Sequence, residues 1–173
     1  MYYSDAEKLM VATYLADHAH AGQTDKGGHD YFEHACRICS KFKHNDLKIV
    51  SMLHDTVEDT YVTLEMIESL FGKMIADAVD LLTRKEEESY MGYIARMCEA
   101  TPDGLVTDIA RRIECSHQLA RLVKIADLQD NMDLGRLKEI TDEDLNRVKK
   151  YEKARQRLLK AQEEVKTIYY FSD

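Results

Sequence analysis

Leu53-His54-Asp55-Thr56-Val57-Glu58-Asp59-Thr60 sets four ionisable groups directly after the apolar run Ile49–Leu53. A buried or half-buried carboxylate is costly unless a cation or hydrogen bonds compensate it. A second such carboxylate, Asp127, interrupts the apolar helical stretch Leu122-Val123-Lys124-Ile125-Ala126-Asp127-Leu128. A second imidazole, His34, lies in Tyr31-Phe32-Glu33-His34-Ala35. Imidazole with carboxylate is a ligand set for divalent first-row metals. His34, His54, Asp55 and Asp127 are therefore the candidate metal ligands.

Around these pieces the pattern is helical. Pro occurs once, at Pro102, Gly is scarce, and alternating strand patterns are absent. Ser4-x-x-Glu7 is a capping-box start, followed by an apolar face of Leu9, Ala12, Leu15, Ala16 and Ala19. Gly22, Gly27 and Gly28 mark a loop reaching about Asp30. Helices are expected over Tyr31–Lys43, over Asp46 to about Val57, from Thr63 to a stop at Phe71-Gly72, over Lys73–Thr83 and over Ser89–Cys98. Thr101-Pro102-Asp103-Gly104 reads as a turn. Ser116–Met132 reads as the helix of Asp127, and Thr141-x-x-Asp144 starts a charged helix to about Tyr170. Residues 100–115 carry no functional signal.

Positions four apart share a helix face. If the helix continues, His54 aligns with Glu58 and Asp55 with Asp59, while Asp127 aligns with Asn131. Two helices then each offer one layer to a metal and one to water or substrate. Four such ligands can close a tetrahedral structural zinc site. In six-fold coordination they leave two open positions, which favours Mn²⁺, with Fe²⁺ or Mg²⁺ next. Glu58 and Asp59 are the candidate catalytic residues, placed to orient an attacking water and take its proton.

Three blocks resemble the HD phosphohydrolase superfamily, and within it the hydrolase domain of the RelA/SpoT alarmone enzymes and their single-domain relatives. They are His20-Ala21-Gly22-Gln23 with Lys26 and Tyr31–His34, the block Leu53–Thr60, and Val123-Lys124-Ile125-Ala126-Asp127-Leu128-Gln129-Asp130-Asn131-Met132. The resemblance implies an all-α HD-type helical bundle with the metal between helices. It implies a nucleotide phosphohydrolase, most specifically one removing the 3′ pyrophosphate of guanosine tetra- or pentaphosphate. It also implies substrate contacts: Lys26 and Lys124 to phosphates and Asn131 to a ribose hydroxyl. Asp25 stands where the family has Arg against the base, and Asp30 and Ala35 where it has Pro. Weaker guanine recognition is the expected consequence, with Asp25→Arg raising affinity. The alternatives are the same chemistry on another nucleotide or phosphorylated metabolite, and a regulatory module that binds nucleotide without turning it over.

The chain's 173 residues, 45% of them apolar, suit one domain spanning 1–173. A net charge of −8 argues against nucleic acid as a partner, since no broad basic face is available. No apolar run is long enough to span a membrane and no export signal is present, so a cytoplasmic setting is expected. Cys36 and Cys39 have no second pair at zinc-finger spacing and read as reduced core thiols.

Overall fold

Helix α1, Asp5–Ala19, begins where Ser4 and Glu7 cap one another's backbone and buries Ala12 and Ala16. The computed structural model describes residues 4–99 and 107–164. Within them the order continues with α2 (Tyr31–Cys39), α3 (Asn45–Leu53), α4 (Thr56–Asp59), α5 (Leu64–Phe71) and α6 (Lys73–Leu82). Then come α7 (Tyr90–Met97), α8 (Thr107–Asn131), a 3-10 turn at Leu134–Arg136, and α9 (Asp142–Glu164). The described residues form no strand, only an isolated bridge between Thr24 and Asp30. The architecture is the expected all-α bundle.

One apolar core runs through these helices, with Ile38, Leu53, Leu119, Leu128 and Leu158 among its fully buried members. Helix α3 packs against α1, α2 and α8, and α8 also packs along α6 and α9. The three helices carrying the candidate ligands, α2, α3 and α8, thus pack pairwise against one another. Any polar side chain turned into their junction is withdrawn from water.

Three helix boundaries depart from expectation. Helix α2 stops at Cys39 instead of Lys43, because the Ser40 hydroxyl donates to Arg37 O and Lys41 reaches out to Ala126 O on α8. The third helix breaks after Leu53. His54 Nδ1 lies 2.8 Å from Ser51 O and Thr56 Oγ1 2.8 Å from Leu53 O, so side chains take carbonyls that the next helical turn would use. Asp55 sits at φ −110°, ψ 0° between α3 and α4. Helix α8 starts at Thr107, nine residues ahead of the expected Ser116, and its Ile109 and Ile113 continue the i, i+4 spacing. The expected turn at Thr101–Gly104 and the end of the last helix lie outside the described residues. No helix among the described residues is long and apolar enough to cross a membrane.

Candidate metal centre

Each candidate ligand is delivered by a different local device. Asp30 caps α2 by accepting the Phe32 N–H, which points the first turn, with Tyr31 and His34, at α3. The break at the end of α3 swings His54 and Asp55 towards α8, where Asp127 lies in the last turn but one. His34, His54 and Asp127 are each at most 3% exposed. Each offers a ligand atom, and these three atoms lie within 4.8 Å of one another.

The hydrogen bonds fix which atoms face the junction. His34 Nδ1 lies 2.8 Å from Asp130 Oδ2, and His54 Nδ1 lies 2.8 Å from Ser51 O. Both acceptors favour the Nδ1–H tautomer of the neutral rings, in which Nε2 carries the lone pair that a metal-bound histidine needs. His34 Nε2 is 3.2 Å from Asp127 Oδ1. His54 Nε2 is buried without a hydrogen-bond partner, 2.9 Å from Asp55 Oδ2 and 3.9 Å from Asp127 Oδ1. An orphaned ring nitrogen facing two carboxylates is unfavourable for a protein alone and favourable for a cation's ligands. The residues present fit a divalent metal. Asp55 stands beside the other three, its Oδ2 accepting from the Tyr31 hydroxyl.

The electrostatics agree. Burial opposes charge on His34, but Asp127 and Asp130 outweigh it and raise its pKa to about 9. The carboxylates that favour a proton there equally favour a cation. Burial also opposes the charge of Asp127, yet Lys124 and His34 hold it well below the ordinary carboxylate range. Asp55 is held low in the same sense by His54. Glu58 and Asp59 go the other way: burial raises both, and the nearby Asp55 charge adds to it. The Arg84 N–H, 2.8 Å from Glu58 Oε2, only partly offsets this.

Glu58 and Asp59 are exposed on α4, one break beyond the ligands, so the continuous-helix alignment with His54 and Asp55 is replaced by a separate turn. Gln23 Nε2 ties that turn to the glycine loop through Asp59 O at 3.0 Å. Lys124 is inside the centre, its Nζ 2.8 Å from Asp127 Oδ2 and over the Tyr93 ring. Asn131 donates its amide to Asp127 Oδ1. Lys26 lies on the rim of a cavity of about 170 Å³ that adjoins His34 and Asn131. The other walls include Tyr31, Arg136, Arg147 and Tyr151.

The reading of Asp25 needs correction. Its carboxylate is only 7% exposed and is caged by four donors. Oδ1 accepts the N–H groups of Gly27 at 2.8 Å and His29 at 3.1 Å. Oδ2 accepts from Arg37 at 3.1 Å and Arg136 at 2.9 Å. Asp25→Arg would set a third guanidinium against those two, so a gain in affinity is no longer expected. Reasoning from sequence missed Arg37, Asp130, Arg136, Arg147 and Tyr151, whose lone charges and rings carry no motif. Cys36 and Cys39 are free, and burial pushes both thiols up, as core thiols require.

No family model matches the chain. It is 31% identical over 144 residues to the bifunctional (p)ppGpp synthase/hydrolase SpoT of Escherichia coli K12, an alignment covering 76% of this chain and 19% of that protein. The chain thus spans about a fifth of the length of that relative. It is also 31% identical over 141 residues to the guanosine-3′,5′-bis(diphosphate) 3′-pyrophosphohydrolase MESH1 of Danio rerio, covering 77% of this chain and 72% of that one. A solved structure described as a metazoan orthologue of SpoT that hydrolyses ppGpp superposes with a TM-score of 0.64. It covers 94% of this chain and 88% of that one at 22% identity, and so supports the fold.

Proposed function

The chain belongs to the family of guanosine-3′,5′-bis(diphosphate) 3′-pyrophosphohydrolases, and we propose that it hydrolyses the 3′ pyrophosphate of a guanosine nucleotide at the junction of α2, α3 and α8. The observation that carries this reading is the convergence of His34, His54 and Asp127, with both Nδ1 atoms engaged and both Nε2 atoms turned inward. His34, His54, Asp55 and Asp127 are the proposed ligands, and Mn²⁺ is the proposed ion. A divalent ion bound there would polarise the scissile phosphate and acidify the attacking water.

The protein's own groups do the rest. Glu58 and Asp59, whose pKa values burial raises above the ordinary carboxylate value, accept the proton of the attacking water. Lys26 and Arg147, in the cavity wall, receive phosphate oxygens, and Lys124 adds positive charge beside Asp127. Asn131 projects between Asp127 and the cavity, where a ribose hydroxyl would lie. Tyr151 offers a flat face to a base.

The same chemistry on another nucleotide or phosphorylated metabolite is a second reading, favoured by the carboxylate of Asp133 in the cavity wall. A nucleotide panel in Mn²⁺, with phosphate and pyrophosphate quantified separately, tests both. Guanosine 3′,5′-bis(diphosphate) giving GDP and pyrophosphate faster than any other nucleotide supports the proposal. Preference for a different substrate selects the second reading, and tight binding without turnover would show a regulatory module instead.

A further inference from the structure

The cavity and the metal centre are joined by a buried ionic network that the chemistry above does not use. It begins at the turn carrying Lys26. There Asp25 Oδ1 gathers the Gly27 and His29 N–H groups, and the positive φ of Gly28, 83°, lets the turn close. Asp25 Oδ2 then binds Arg37 and Arg136. Both guanidinium groups also hold Asp130: Arg37 Nε lies 3.0 Å from Oδ1, and Arg136 Nη2 lies 3.3 Å from Oδ2 and bonds the Asp130 carbonyl. Asp130 Oδ2 in turn accepts from His34 Nδ1 at 2.8 Å. Two carboxylates and two guanidiniums balance in charge. Asp25 and Asp130 are 7% exposed, Arg136 20% and Arg37 30%.

We propose that Asp25, Arg37, Arg136 and Asp130 form one positioning unit that ties the Lys26 turn to His34, so that substrate loop and metal centre are set together. Asp130 is the residue through which the unit acts. It holds His34 in the Nδ1–H tautomer with Nε2 facing Asp127, and a carboxylate behind a ligating histidine also raises the ligand's basicity. Asp25 acts from the far side of the arginines. With Asp25 neutral, both guanidiniums fall to Asp130 alone, drawing its charge away from His34 while the Lys26 turn loses its anchor.

The substrate half of this inference rests on the proposed function; the metal half rests on its metal centre alone, whatever the substrate. The test measures Mn²⁺ affinity by calorimetry, KM and kcat with the nucleotide, and melting temperature for folding. Asp130→Asn is expected to weaken Mn²⁺ binding by about 10–100-fold, the usual cost of losing such a partner. Asp25→Asn is expected to weaken Mn²⁺ by about 2–30-fold, the range for a coupled residue that touches no ligand, and to raise KM as well. Lys26→Ala is expected to raise KM with Mn²⁺ affinity unchanged. Asp130→Glu, which keeps the charge, is expected to recover part of the loss. If Asp130→Asn fails to fold, Asp25→Asn and Arg136→Gln carry the test. Wild-type Mn²⁺ affinity in folded Asp25→Asn or Asp130→Asn overturns the inference. Wild-type Mn²⁺ affinity in Asp127→Ala overturns the metal-centre reading along with it, a different pattern from the failure of the network alone.

Discussion

His34 holds the most informative position among the single residues, because proton and metal compete for its Nε2. Its pKa is raised to about 9, so at neutral pH a metal must displace a proton. Mn²⁺ affinity should therefore rise with pH by about tenfold per unit below pH 9 and level off above it. Calorimetry in buffers of differing ionisation enthalpy reads the released proton directly, and a pH-independent affinity would assign the raised pKa to a residue outside the metal's reach. Glu58 and Asp59 make a contrasting prediction. Glu58→Gln or Asp59→Asn should leave the metal bound and lower turnover by about 10²–10⁴-fold. Equal loss of metal and turnover would make them ligands. The convergence of His34, His54 and Asp127 was foreseeable in sequence, because a histidine or carboxylate set against an apolar helical run needs a compensating partner. Asp130 and Arg136 were not, because their partners His34 and Asp25 lie 96 and 111 positions away and only packing unites them.

Among the elements, the break between α3 and α4 decides the site's geometry. Thr56 is fully buried, and its hydroxyl holds Leu53 O, which an unbroken helix would use otherwise. Thr56→Val keeps the shape and removes that bond, and should cost about 1–3 kcal/mol in chemical denaturation. It should also weaken Mn²⁺ binding, because His54 and Asp55 take their direction from the break. Stability lost with Mn²⁺ affinity intact would place the ligand geometry elsewhere. Capping residues Ser4, Thr63 and Ser89 made the starts of α1, α5 and α7 readable to within a residue or so, and Gly72 marked the start of α6. The ends of α2 and α3 were not readable, because Ser40, His54 and Thr56 terminate them by bonding carbonyls one turn back, and those residue types also occur inside helices.

Across the whole molecule, an acidic chain of net charge −8 keeps several carboxylates ionised in places from which water is excluded. Asp25, Asp55, Asp127 and Asp130 all have pKa values below the ordinary carboxylate value. A depressed folded-state pKa adds stability above the unfolded-state value and loses it as pH falls. Melting temperature should therefore drop steeply below about pH 4, and Asp25→Asn should flatten that drop. An acid limb unchanged in Asp25→Asn would show that its cage contributes nothing to stability. Two of them, Asp55 and Asp127, face the place where the chain is proposed to hold a cation. Elemental analysis of purified wild-type protein, His54→Ala and Asp127→Ala, alongside pyrophosphate release from guanosine 3′,5′-bis(diphosphate), tests this most directly. About one divalent transition metal per wild-type chain is expected, with metal and activity lost together in both variants. Metal-free protein that still releases pyrophosphate in the presence of chelator would contradict the account.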